Sequence, residues 1–118
     1  MVVTISEETF GSVKKVKFEW ESAADGSASG TTTEVYNGEI IRLVTIPDGV
    51  AAPTDLYDIA INDEDGTDVL MGAGMDRATA TTEQVLASSL GCVANDKLSI
   101  AVSNAGDTKK GTAIIYIR

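Results

Sequence analysis

The stretch Lys15-Val16-Lys17-Phe18-Glu19-Trp20-Glu21 decides the fold. Apolar and charged residues alternate along it, so Val16, Phe18 and Trp20 share one face of an extended chain while Lys15, Lys17, Glu19 and Glu21 share the other. A strand with one face in a core and the other in water accounts for every residue, and Trp20 is read as part of that core.

The same period recurs outward from this strand. Tyr57, Ile59 and Ile61 alternate with Asp58 and Ala60, and Leu98, Ile100 and Val102 alternate with Lys97, Ser99 and Ser103. Ala113 to Ile117 forms a last isoleucine-rich run that is expected to lie inside a sheet. From Glu39 to Ile46 both faces are apolar, with Ile41 and Leu43 opposite Ile40, Val44 and Ile46, which predicts a central strand covered on both sides.

Turn chemistry separates the runs. Asn37-Gly38 predicts a two-residue hairpin between a threonine-rich strand ending near Tyr36 and the strand starting at Glu39. Asp63-Glu64-Asp65-Gly66 predicts a type I turn with a glycine bulge, a register that sets Ile61 opposite Val69 and Ile59 opposite Met71. Pro47-Asp48-Gly49 and Ala52-Pro53-Thr54 punctuate a loop, and 104–111 supplies the last hairpin. Ser22 to Thr33 is expected to be a mobile loop leading to an edge strand, and Asp76 to Leu90 is read as irregular strand rather than a helix capped by Thr81 and Gln84. The sum is an all-β chain of about seven to nine short strands: a single antiparallel sandwich, jelly-roll or immunoglobulin-like, or a partly closed barrel. Its 118 residues suit one domain, with 1–12 as an N-terminal strand or arm and 13–118 as the sandwich.

Composition narrows the function. There is no histidine, which removes the usual general base and commonest metal ligand, and no glycine-rich phosphate cradle, so no cofactor is expected. The lone Cys92 forms no internal disulfide and is expected in or beside the core as a small hydrophobe. A formal charge of −9, from 18 acidic and 9 basic residues, repels nucleic acid and anionic membranes alike. No stretch approaches a membrane span and the N-terminus lacks the basic and apolar regions of a signal peptide, so synthesis in a cytoplasm is expected.

The candidate sites are few. Asp63, Asp65 and Asp68 around Gly66 are the densest set of oxygen ligands, yet a calcium loop of the EF type with its glycine at 66 would begin at Ile61 and end at Gly72, and it fails at both ends. Asp48, Asp55, Asp58 and Asp76 supply carboxylates, but a glycosidase also needs a cleft and a sugar platform that six aromatic residues committed to strands do not offer. Ser88 and Ser89 have neither a nucleophile elbow nor an imidazole. Arg42 and Arg77 stand alone among apolar or acidic neighbours, as interface anchors or as surface ion pairs.

Several longer phrases go beyond strand period: Thr33 to Arg42, Ala52 to Ile59, Asp63 to Leu70, Ala94 to Ile100 and Ser103 to Asp107. In these the chain resembles small acidic all-β virion proteins of tailed bacteriophages, among them decoration or cement proteins of the head, over about Val13 to Tyr116. The resemblance implies no catalysis, a place on the virion with the head surface favoured, the major capsid protein lattice as partner, and a homo-oligomer, often a trimer. It also implies an arm: Val2, Val3 and Ile5 either add a strand to a neighbour's edge or complete this domain's own sheet. A neck or tail protein, a carbohydrate or receptor-binding module using loops 48–55 and 72–82, and a calcium-dependent adhesion domain are the alternatives.

Overall fold

The computed structural model describes residues 1–118 and shows nine strands and one 3-10 turn. In chain order the strands are β1 (Val2–Phe10), β2 (Val13–Glu21), β3 (Ala28–Thr31), β4 (Tyr36–Pro47), β5 (Asp58–Asn62), β6 (Glu83–Leu86), β7 (Cys92–Asp96), β8 (Ser99–Ser103) and β9 (Lys110–Ile117). The larger sheet runs β1-β2-β9-β4, with β6 and β7 sharing the far edge of β4; the smaller sheet runs β3-β8-β5. All pairings are antiparallel and the sheets do not close into a barrel.

Each period-2 run delivers its apolar face to one core. Val16, Phe18 and Trp20 of β2 and Ile115 and Ile117 of β9 pack against Ile59, Ile61, Ile100 and Val102 of the smaller sheet and against Tyr57 and Leu98, which immediately precede β5 and β8, all at most 3 % exposed. Trp20 and Tyr57 meet across the sandwich with ring centroids 5.7 Å apart, the tilted arrangement aromatic pairs favour. The Trp20 ring also explains Gly111: a Cβ there would sit 2.5 Å from Cζ2. β9 lies between β2 and β4, as the isoleucine run predicts.

Six local expectations are corrected. Residues 104–111 form no hairpin: they carry the chain from β8 in the smaller sheet across to β9 in the larger one, and the two strands do not pair. Asn37-Gly38 is no hairpin: both residues lie within the long strand β4, whose N-terminal part pairs with β7. Gly38 is there because its φ is +135° and a Cβ would fall 2.7 Å from the Arg118 carbonyl oxygen. The register of β4 shifts between Ile40 and Arg42, a bulge that makes Ile41 the extra residue and turns Ile40 and Leu43 together into the core. Ser22 to Thr33 is built rather than mobile. Ser22 is buried, with its hydroxyl donating to the Gly106 carbonyl and accepting from the Lys109 N–H at 2.8 Å. Val69 does reach Ile61, donating its N–H to that carbonyl at 2.8 Å, but Met71 turns outward at φ +53° and Ile59 donates instead to Gly74. Cys92 is exposed, because Val93 takes the inward position of β7. The uncertain stretch before Leu90 holds the short strand β6, as read, followed by a 3-10 turn over Ala87–Ser89.

Candidate functional site

The acidic turn after β5 is organised by its own backbone. Asp63 Oδ1 accepts the N–H groups of Asp65 and Thr67, both at 3.0 Å. Asp68 points away from that turn: it accepts the N–H groups of Ile61, Leu70 and Gly72, each at 3.0 Å, and so holds the following turn against β5. The carboxylate that joins Asp63 and Asp65 is Asp96, at the end of β7, and oxygens of the three lie within 4.8 Å of one another. Sequence spacing hides Asp96, which tertiary pairing delivers. The two loops are stitched reciprocally, Glu64 N–H to Asp96 at 3.3 Å and Lys97 N–H to Glu64 at 2.9 Å. Asp63 and Asp96 already accept N–H bonds, and three carboxylates fall short of the six to eight oxygens calcium takes.

The same use of carboxylates recurs around the molecule. Asp48 accepts from Val50 and Ala51, and the bonds from Ala51 and then Val50 hold its carboxyl below the usual range. Asp55 accepts from Thr79 N–H, Asp58 from Asp76 N–H and the Asn104 side chain, and Glu83 from Ala78 N–H. The fullest case is Glu7 of β1, which sequence reading missed because its partners lie 26 to 29 residues away. Its two oxygens accept the Thr33 N–H and hydroxyl, the Glu34 N–H and the Tyr36 hydroxyl at 2.7 to 3.0 Å. Burial pushes the Glu7 pKa up, but these bonds, led by Thr33 and Tyr36, outweigh it and leave it lowered. Burial and then the bond to Glu7 push the Tyr36 hydroxyl well up. This clasp ties β1 to the segment between the two sheets.

The residues singled out as interface anchors sit as follows. Val3 and Ile5 pair with Trp20 and Phe18 and pack against the core; Val3 also fills the space over Gly30 of β3, where a Cβ would lie 2.9 Å from its Cγ1. Val2 faces out and is 57 % exposed. Arg42 lies over the Tyr116 ring, 5.1 Å from its centroid, and donates twice to Gln84 Oε1. Arg77 is held near Glu83, 3.8 Å away, and donates to the Met75 carbonyl at 3.1 Å. The structure does not bring the two arginines into one site.

Two exposed surfaces remain. On the outer face of the larger sheet, pairing sets Thr4, Glu19, Thr112 and Ile46 in one row, and Ser6, Lys17, Ile114 and Val44 in the next, with Ile114 and Val44 themselves buried at 8 % and 6 % exposure. One end of this face is a groove of about 510 Å³ between Val2, Glu19, Glu21, Ile46, Asp48 and Lys110. Elsewhere, the loops around Leu56 and Met71 to Arg77 are stitched by Leu56 N–H to the Arg77 carbonyl at 2.9 Å and Asp76 N–H to Asp58 at 2.9 Å. They hold Leu56, Met71 and Asp76 at positive φ and leave Leu56, Met71 and Met75 exposed. A left-handed backbone on a bulky side chain is an uncommon and strained arrangement that persists where its surroundings over-determine it. The chain matches no family model, no curated protein and no solved structure.

Proposed function

We propose that this chain is a noncatalytic virion protein of a tailed bacteriophage, a decoration protein that docks on the head lattice of the major capsid protein and stabilises it. The observation that supports this reading is how the acidic side chains are used. Carboxylates that would have to be free for acid–base or metal chemistry accept backbone N–H bonds in the loops, fixing Leu56, Met71 and Met75 as an exposed apolar set on a rigid scaffold. A rigid apolar contact needs little ordering on binding, and repetition over a lattice turns a weak contact into firm attachment. The resemblance of the turn phrases to head decoration proteins points the same way.

Purified protein added to heads that lack it should bind and raise their resistance to heat, and Leu56→Asp with Met75→Asp should abolish both while leaving the melting of the free protein within a few degrees. Purified virions should carry on the order of several hundred copies, whereas about six or twelve would move the protein to the neck or tail. Absence from virions, or binding to a glycan by the isolated domain, would overturn the reading.

A further inference from the structure

We infer that the outer face of the larger sheet is a self-complementary interface through which two copies of this chain pack face to face, their β2 strands antiparallel. The inference stands apart from the virion reading, since it rests on this face alone and not on the loops around Leu56.

The outward residues of β2 are Lys15, Lys17, Glu19 and Glu21, two cations followed by two anions. A twofold axis lying between two stacked sheets, perpendicular to the strands and level with Phe18, brings Lys17 onto Glu19 of the second copy and Lys15 onto Glu21 of the second copy. The neighbouring strands obey the same operation. Tyr116 pairs with Lys15, Ile114 with Lys17, Thr112 with Glu19 and Lys110 with Glu21, while Arg42, Val44 and Ile46 flank the first three on β4. Asp48 follows Pro47, donating its N–H to the Lys110 carbonyl. Reversal therefore sets Arg42 against Asp48 of the second copy, the Tyr116 ring against Lys110 of the second copy, and Val44 and Ile114 against Ile46 and Thr112 of the second copy. Opposite charges meet at Lys15 and Glu21, Lys17 and Glu19, and Arg42 and Asp48, while Lys110 falls on the neutral Tyr116 ring and Glu8 on Val2 of the second copy. An isologous interface requires this kind of self-complementarity.

The balance of charge supports the choice of a second copy as the occupant. Four cations (Lys15, Lys17, Arg42, Lys110) and four anions (Glu8, Glu19, Glu21, Asp48) cancel on this face, so the entire formal charge of −9 lies elsewhere on the molecule. Two copies approaching by any strongly acidic surface repel; by this one they do not. The smaller sheet also has an outer face with little charge, but its Ser29, Ala101 and Ala60 offer nothing to fix a register. The groove at the acidic end of the larger face gives room for the Lys15 and Arg42 side chains of the second copy. Within one chain Lys17 pairs with Glu19 at 3.4 Å and Lys110 with Glu21 at 3.5 Å, but such exposed pairs are weak and exchange readily for contacts across the interface.

The face measures roughly 20 Å along the strands, the small end of the range for specific association, so pairing should depend on concentration and weaken with salt. Sedimentation of the full chain should show a dimer at about 100 μM in low salt that dissociates in roughly 1 M salt. The variants Lys15→Glu with Lys17→Glu, and Glu19→Lys with Glu21→Lys, should each self-associate at least about tenfold more weakly. Mixed one to one they should form a heterodimer, and all four substitutions in one chain should restore the homodimer. Thermal unfolding of each variant shows that it folds, and the single substitutions Lys17→Glu and Glu19→Lys replace any double variant that does not. A monomeric or trimeric parent, double variants that dimerise like the parent, or a mixture that stays monomeric would each overturn the inference. Loss of head binding in the variants with no change in self-association would also overturn it, assigning the face to the lattice instead.

Discussion

Along β2, in the larger sheet, the outward residues are Lys15, Lys17, Glu19 and Glu21, whereas along β8, the middle strand of the smaller sheet, they are Ser99, Ala101 and Ser103. Inward the two strands are alike: Val16, Phe18 and Trp20 on one, Ile100 and Val102 on the other, all essentially inaccessible. The inward sets hold the sandwich together and the outward sets are free to differ, which is how one fold carries a charged, patterned face and a bland one. The sheets also differ in how their ends are secured. Four strands of eight to twelve residues zip the body of the larger sheet, with only β6 and β7 short at its edge, while the smaller sheet has strands of four or five residues throughout, supplemented by Asp58, Asp68 and the Glu7 clasp.

The largest test of this contrast removes the centre of the larger sheet. Deleting residues 110–118 exposes β2 and β4 together and should abolish folding, seen as loss of the strand signal in far-ultraviolet circular dichroism. Next come paired truncations of the two inner faces. Ile115→Ala and Ile100→Ala should each cost about 2–5 kcal/mol in denaturant unfolding, since both side chains are fully buried. A cost under about 1 kcal/mol for Ile100→Ala would mean that the smaller sheet contributes little to the cooperative core.

Smaller effects follow at the junction and on the faces. Glu7→Gln should destabilise by about 1–2 kcal/mol near neutral pH, because a charged acceptor of four hydrogen bonds becomes a neutral one. Its pKa is lowered from the ordinary 4.5, so its contribution is complete above that value and is lost as pH falls through the lower folded value. Stability of the parent should therefore decline below about pH 4.5 more steeply than that of Glu7→Gln, and equal slopes would count against the clasp. Smallest in stability are Lys17→Glu and Ala101→Lys, each within about 0.5 kcal/mol. Only the first should change self-association, so a change caused by Ala101→Lys would move the interface to the other sheet.

The strands were legible because their signal is local: a residue and its second neighbour share a face whatever the rest of the chain does. The turn phrases misled where a local motif has two uses. Asn37-Gly38 serves a hairpin or a close approach of two backbones, and only the position of Arg118 selects the second. Ile41 looks like a core residue until β9 imposes the bulge, and Cys92 looks buried by type until Val93 takes the inward place. Asp63 and Asp65 could be read as ligand candidates, but Asp96 could not, because proximity across 31 residues leaves no periodic trace.

By itself, the sequence determined an all-β chain, the inward face of each regular strand, the central place of the last strand, and an outward charge order on β2 that reverses onto itself. Alternation and composition are properties of neighbouring residues, so they survive without knowledge of the fold. The tertiary structure alone decided which strands pair, that β1 is held by Glu7 across the sandwich, and that the cations and anions of four different strands lie on one balanced face. Those are relations between segments distant in the chain, fixed by the joint packing of two sheets on one core.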